Sequence, residues 1–420
     1  MDFESYIYKT SDYGVSWQKI TNGISSDPNF TRVVRSDKKI RGLLYAGTEN
    51  GLYLSKNDGE KWFQVQLNLP IVPINDLYIQ DNDLIAATAG RSFWILDDLA
   101  TFQQKIDFGK LKILKPKPSY RILGGNSRRS QDSASLAIST IGENPLKGVI
   151  LDYYLPQIID SSDLKLDILK GEKIIRSYTS KKNKKFKSWP GGPPNQPVLK
   201  TKKGFNRFNW DLRRENLPAV ENIFVYGDYK GGVVPPGKYS ARITYNNMID
   251  ETEIVVLADP NINTEKENYY NQERVLISIE KSINSIHNSV NKMRKVQNQL
   301  DQYSKSLDSN DNYNVLKNLG NEISEKLDLW ERKLIQPNQK TFQDVINFNN
   351  QLNAQFMHLK SYVDGADPEV TEGVYKRIED LNNIWNELEI NLNQIINSDV
   401  KKFNKLYKSM DIPSLIIPSN

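Results

Sequence analysis

Two octets near the start of the chain place a hydroxyl, a carboxylate or amide, a glycine and a tryptophan at one spacing: Thr10-Ser11-Asp12-Tyr13-Gly14-Val15-Ser16-Trp17 and Ser55-Lys56-Asn57-Asp58-Gly59-Glu60-Lys61-Trp62. Carboxylates so placed serve either acid chemistry or a tight turn. In a turn, Asp or Asn accepts hydrogen bonds from amides further along, and glycine takes a positive φ at little steric cost. The hydroxyl joins the same local network, and the tryptophan folds over the turn to bury its ring. Thr10, Asp12, Gly14, Trp17, Ser55, Asn57, Gly59 and Trp62 are therefore expected to build turns. A second acidic group follows at Asp76, Asp81, Asp83, Asp97 and Asp98. Hydrolysis of a glycosidic bond needs two carboxyl groups about 5 Å apart for retention or about 6.5–9.5 Å apart for inversion. Asp97 and Asp98, adjacent on a strand, point to opposite faces and cannot form that pair. Asp81-Asn82-Asp83 reads as a tight turn. Arg91 is the candidate for gripping a ligand carboxylate, so Arg91 and Asp83 are the ligand-contact candidates, and no catalytic residue is assigned.

Other chemistries are excluded by composition. The 420 residues contain no cysteine, which removes disulfides, thiolate metal sites and cysteine nucleophiles. The two histidines, His287 and His358, fall inside helical sequence, away from any cluster of other ligands. A histidine-based zinc site or a Ser-His-Asp triad is not expected, and no metal or cofactor is expected. Lys and Arg number 56 against 51 Asp and Glu, a net charge of +5, too weak a bias to expect a nucleic-acid partner. The longest aliphatic run, Ile254–Ala258, is far short of the ~20 residues that span a bilayer. The first residues lack a basic region and an apolar core, so no signal peptide is read there.

The elements that must hold these residues come in three blocks. The octets lie 45 residues apart, Asp12 to Asn57, and the same offset matches Tyr8 with Tyr53 and Ile24 with Leu69. Leu44–Thr48 is matched by Leu84–Thr88 at an offset of 40, and a degenerate third octet ends in Ala100-Thr101-Phe102. Periods of about 40–50 residues holding short strands are a signature of propeller blades. Residues 1–103 are thus read as a partial β-propeller of about two blades. Residues 104–134, with Pro116, Pro118 and a polar run, are read as a linker. Residues 135–259 alternate with period two in some six strands and are read as an immunoglobulin- or fibronectin-like sandwich. The lysine-rich stretch Lys181–Lys187, followed by Trp189-Pro190-Gly191-Gly192, is read as a solvated loop rather than a patch for an anionic partner. From residue 260 apolar positions step by three and four in four stripes, and 260–420 is read as an α-helical bundle. The third stripe runs Val345, Phe348, Leu352, Phe356, Leu359 and Val363, and the apolar seams leave self-association through the bundle open.

The octet pattern S/T-x-D/N-x-G-x-x-W is the Asp-box. Together with Tyr45–Tyr53, Asn68-Leu69-Pro70, Gly90-Arg91-Ser92-Phe93-Trp94, Asn206-Arg207-Phe208 and Pro235-Pro236-Gly237-Lys238-Tyr239, it resembles the C-terminal portion of the bacterial sortilin-like Asp-box (BNR repeat) "glycosyl hydrolase" family. In that family a many-bladed propeller precedes an Ig-like domain and a helical tail. The resemblance implies an envelope or secreted location and further blades upstream of Met1. It implies a non-catalytic region binding peptide or glycan; the alternative is part of a glycoside hydrolase whose catalytic blades lie upstream. Where the family typically shows Thr-His-Gly-Arg, this chain has Thr88-Ala89-Gly90-Arg91, so any role of that histidine is absent.

Overall fold

The computed structural model describes residues 4–25, 28–123, 146–157, 164–184, 186–307, 313–410 and 412. The chain is mixed β and α: several small sheets come first, and a helical region ends the chain. The hairpin β1 (Tyr8–Lys9) and β2 (Gln18–Lys19) opens it, with the first octet as its connection. A four-stranded antiparallel meander follows, β3 (Thr31–Ser36), β4 (Leu44–Thr48), β5 (Gly51–Ser55) and β6 (Phe63–Gln64), with the second octet between its last two strands. The 45-residue offset is kept in the register: Tyr8 pairs with Lys19 as Tyr53 pairs with Gln64. A three-stranded meander, β7 (Ile74–Gln80), β8 (Asp83–Thr88) and β9 (Phe93–Leu96), comes next and leads into the short helix α1 (Ala100–Gln103). These sheets stack face to face. Ile7, Ile20 and Ile24 of the hairpin meet Ala46, Tyr53 and Trp62 of the meander. On the other side Val33, Leu52 and Leu54 meet Ile74, Leu77 and Leu84. Between Val33 and Ile74, Gly47 leaves no room for a Cβ, so this close approach requires glycine.

Two further sheets share a core. One orders β10 (Lys112–Ile113), β12 (Val149–Leu155) and β15 (Gly204–Trp210). The other orders β11 (Ser119–Tyr120), β17 (Met248–Leu257), β16 (Gly237–Tyr245), β13 (Lys165–Lys170) and β14 (Lys173–Thr179). Their inward residues alternate, as at Leu166, Ile168, Tyr239, Ala241 and Ile243, and pack around buried Trp210, whose ring meets Tyr239 edge-on at 5.6 Å. Within the stretch read as a linker, Lys112–Ile113 and Ser119–Tyr120 are strands of these two sheets. The pairing amides of this Lys/Pro-rich segment hold it to the sheets, and prolines fall between its strands. The polar half of that stretch and the start of the next block lie outside the described residues.

The helical region comprises α2 (Lys266–Ser306), α3 (Asn314–Leu334), α4 (Leu352–Val363), α5 (Glu372–Gln394) and α6 (Lys401–Ser409). Its stripes form one core, to which the segment between β15 and β16 adds Leu217, Val220, Ile223, Val225 and Tyr229. The third stripe does not begin a helix at Val345. A 3₁₀ turn, Phe342–Ile346, closes in a capping box between Thr341 and Asp344. The Gln339 side chain then binds the Phe348 carbonyl and Asn350, so the asparagine-rich segment bends and α4 starts at Leu352. Between α5 and α6 the helix widens to a π turn at Ile395–Val400.

His287 is wholly buried on α2, its Nδ1–H donating to the Pro218 carbonyl at 2.7 Å in the neutral form. Burial lowers its pKa from 6.5, with the Pro218 bond opposing. The unfolded chain therefore takes up a proton here that the folded chain refuses. Stability is expected to fall as pH drops below 6.5, and urea unfolding at stepped pH will show a flatter slope in His287→Gln.

Candidate functional site

Both octets close the same network. Asp12 Oδ1 accepts from the Thr10 hydroxyl at 2.8 Å and the Ser16 amide at 2.9 Å, and the Gly14 amide donates to Thr10 Oγ1 at 2.8 Å. Asn57 Oδ1 accepts from the Ser55 hydroxyl and the Lys61 amide at 3.0 Å each, and the Gly59 amide donates to Ser55 Oγ at 3.0 Å. The residues four and three places before each tryptophan behave alike: Tyr13 and Gly14 have φ of 59° and 95°, and Asp58 and Gly59 have 58° and 90°. Bonds from the Ser16 hydroxyl and amide, then from Thr10, hold the Asp12 carboxyl down at about 2. An NMR titration is expected to give that midpoint, and Ser16→Ala will move it up towards 3.8. Any stabilisation from Asp12 is complete above its ordinary pKa and is lost as pH falls through about 2.

The tryptophans differ. Trp62 is 1% exposed and its Nε1–H donates to the Ile20 carbonyl at 2.7 Å, whereas Trp17 is 61% exposed.

The remaining acids are spread over turns and ion pairs. Asp76 pairs with Arg35 at 2.6 Å. Asp81 and Asn82, with φ of 47° and 79°, make the turn between β7 and β8. Asp83 and Asp98 are brought together, but through the backbone: Asp83 Oδ1 accepts the Asp98 amide at 2.8 Å. Asp98 in turn accepts from Asn82 at 3.2 Å and from the Ala100 amide at 3.0 Å. Arg91 is exposed in the β8–β9 turn, where its carbonyl accepts from Trp94 Nε1 at 3.0 Å. Asp83 and Arg91 stand at opposite ends of β8, roughly 17 Å of strand apart at about 3.3 Å per residue. They are not brought to one ligand group. Trp189 donates to the Ile223 carbonyl at 2.9 Å, while Lys181, Lys182, Lys184 and Lys187 are exposed. His358 is exposed on α4.

Sequence reasoning missed two acid networks. Asp37 is buried and accepts from the Lys39 and Ile40 amides, the Tyr45 hydroxyl and the Gln103 amide group, all at 2.8–2.9 Å. Burial alone would raise its pKa, but the Gln103 bond and the two amides outweigh it and hold the carboxyl below 3.8. Gln103 also binds Asn82 at 2.7 Å, so Asp37 ties α1 and the β7–β8 turn to the four-stranded sheet.

The second network joins the two-sheet region to the helices. Asp364 pairs with Arg213, accepts the Val233 amide at 3.0 Å and lies 3.8 Å from Lys360. Glu280 pairs with Arg214 at 2.8 Å and accepts the Gly232 amide. Arg121 Nη2 donates to Gln272 at 2.5 Å with its guanidinium over the Tyr269 ring. Burial lowers the Lys360 pKa, with Asp364 and Asp228 opposing. Single ionisable residues scattered from position 121 to 364 give no local spacing by which a sequence would reveal this seam. An open groove of about 600 Å³ lies between α3 and α5 at the π turn, lined by Lys326, Leu329, Trp330, Lys333, Leu388 and Asp399 among others. Lys326 and Asp399 bridge it at 2.7 Å. Among the described residues, no group of three or more His, Asp or Glu side chains is placed to hold a metal ion.

No family model matches the chain. A segment is 26% identical over 123 residues to the phenylalanine–tRNA ligase beta subunit of Leptospira borgpetersenii serovar Hardjo-bovis (strain L550), covering 26% of this chain and 15% of that protein. A solved structure, the extracellular domain of a hybrid two-component system from B. thetaiotaomicron, aligns over 60% of this chain and 29% of its own at 14% identity and a TM-score of 0.19. The chain thus spans under a third of either protein. No helix among the described residues is long and apolar enough to cross a membrane.

Proposed function

We propose that the chain is a non-catalytic binding or scaffold region of a sortilin-like Asp-box protein, with peptide or glycan as its ligand class. In this reading the first sheets are propeller blades, the two-sheet region is an Ig-like sandwich and the helices form a bundle. The location is the cell envelope or exterior. One observation carries the reading: Asp12 and Asn57 form the same turn network, 45 residues apart, in sheets of the same register. An Asp-box with its side chains spent on local amides is a corner that repeats, not a reacting centre. Asp76 and Asp83 support it too, being engaged by Arg35 and by the Asp98 amide.

The test is a panel of immobilised glycans and unstructured peptides probed with the purified chain, alongside a hydrolysis assay on the same panel. Retention of a ligand without turnover is the expected outcome. Hydrolysis that disappears in Asp83→Asn or Asp98→Asn would refute it.

A further inference from the structure

Charge is unevenly spread along the chain. Residues 173–210 hold nine lysines, two arginines and no aspartate or glutamate, so the overall +5 is +11 here and −6 elsewhere. The two arginines are engaged within the fold. Arg176 is buried on Gln196 and Asn216, and Arg207 forks onto Asp152 at 2.8 and 2.9 Å. Lys181, Lys182, Lys184 and Lys187 form one exposed run, and Lys200, Lys202 and Lys203 form another. None of these seven ammonium groups has an ion-pair partner among the described residues.

The first run alone is what a solvated loop contains; the fold adds the second. β14 and β15 are each the outermost strand of their sheet, and residues 180–203 cross from one to the other. The Leu199 amide donates to the Thr179 carbonyl at 3.0 Å, so Lys200 stands one residue and Lys181 two residues from a shared main-chain bond. Buried side chains fix the backbone of the second run. The Tyr153 hydroxyl donates to the Lys200 carbonyl at 2.5 Å, and Asn206 accepts the Lys202 amide at 3.2 Å and donates to the Lys202 carbonyl at 2.7 Å. Beside this turn is a row of rings: exposed Phe205 meets Tyr154 at 5.4 Å, and Tyr154 meets exposed Phe108 at 5.2 Å. Lysine at a sheet edge guards against strand addition. A single lysine serves for that, and exposed phenylalanines work against it.

We propose that this edge of the two-sheet region holds an acidic polysaccharide, a linear chain of uronate or sulfated sugars. Its anionic groups lie on the two lysine runs, and the apolar face of a sugar ring lies on Phe205 or Phe108. The inference rests on the binding reading above and names the ligand as a glycan of the acidic kind. Charge complementarity favours it over a neutral glycan, because a surface of unpaired lysines with no acid among them concentrates anions. Two features favour sugar over nucleic acid. The rings are tilted 71° and 74° to one another, leaving separate small faces rather than one platform for successive stacked bases. The free cations are all lysine, so no planar fork is offered to a phosphate.

The experiment titrates the full chain with polygalacturonate, dextran sulfate and neutral dextran of similar length at stepped ionic strength. Both acidic polymers are expected to bind, and dextran about tenfold or more weakly. Lys200→Gln/Lys202→Gln/Lys203→Gln will lower the slope of log affinity against log salt by about 3, close to one per lysine. Lys401→Gln/Lys402→Gln/Lys405→Gln removes the same charge from α6 and is expected to leave that slope as it is. Phe108→Ala/Phe205→Ala will weaken binding about fivefold at unchanged slope, since the rings are exposed and uncharged. Circular dichroism confirms that each variant is folded. Equal slope changes in the two lysine variants overturn the proposal, because binding then follows net charge alone. Undiminished binding by the ring variant overturns it as well. So does tighter binding to phosphatidylglycerol vesicles or to poly(dT), which would make a lipid surface or a nucleic acid the occupant. If neither acidic polymer binds while another glycan or a peptide is retained, this assignment falls and the binding reading stands. If the polymers are held through the lysines and then shortened, the non-catalytic reading falls and this assignment stands.

Discussion

Replacing Asp364 by alanine will destabilise the folded chain by roughly 3–5 kcal/mol, the range for removing one partner of a buried ion pair. The reason is what remains. Lys360 is fully buried and Arg213 partly buried, and both lose their common counter-charge while the Val233 amide loses its acceptor. The loss is therefore larger than that of an exposed pair such as Arg332–Asp328, where about 0–1 kcal/mol is at stake. Guanidinium unfolding followed by far-ultraviolet circular dichroism checks it. The double variant Asp364→Ala/Lys360→Met is expected to recover part of the loss, since one stranded charge is gone. Because Asp364 follows α4 and Arg213 follows β15, the same change will loosen the helices from the two-sheet region. Proteolysis within residues 213–234 should then quicken before the helices themselves melt.

The second large effect is at Trp62. Trp62→Ala will cost about 3–5 kcal/mol, as for other large aromatic truncations in a packed interior. The ring is buried against Ile7, Ile20 and Ile24, and its Nε1–H is the donor to the Ile20 carbonyl, so truncation opens a cavity and strands that acceptor. Trp17→Ala, at the same place in the same turn, will change stability by no more than about 0.5 kcal/mol, because the exposed ring contacts little. Urea unfolding of the two variants side by side gives the comparison. Equal losses would mean that the stacking of successive sheets does not depend on these tryptophans.

The parts of this fold legible in the sequence are those whose causes are local. The octets state their turns outright, because Asp12, Gly14, Asn57 and Gly59 act on amides within four residues of themselves. The period-two stretches fall on β12 to β17, and three- and four-residue spacing places α2, α3 and α5. What escaped depends on distant partners or on competing polar bonds. Lys112 and Ser119 stand in a segment rich in lysine and proline, yet pair with strands far along the chain. Apolar spacing at Val345 and Phe348 suggested helix, but Thr341, Asp344 and Gln339 direct the backbone into a turn. At the candidate site the separation of Asp83 from Arg91 needed the length of β8, and the Arg213–Asp364–Lys360 seam needed the packing of two regions. Exposure at Trp17 could not be read from an octet that it shares with Trp62.

The most direct measurement of the central claim is mass spectrometry of glycans and peptides recovered after prolonged incubation with the purified chain. If its sheets are a binding scaffold built on Asp-box corners, a ligand is held and returned with its mass unchanged. Shortened products in the recovered pool, or a panel from which nothing is retained, would contradict that claim.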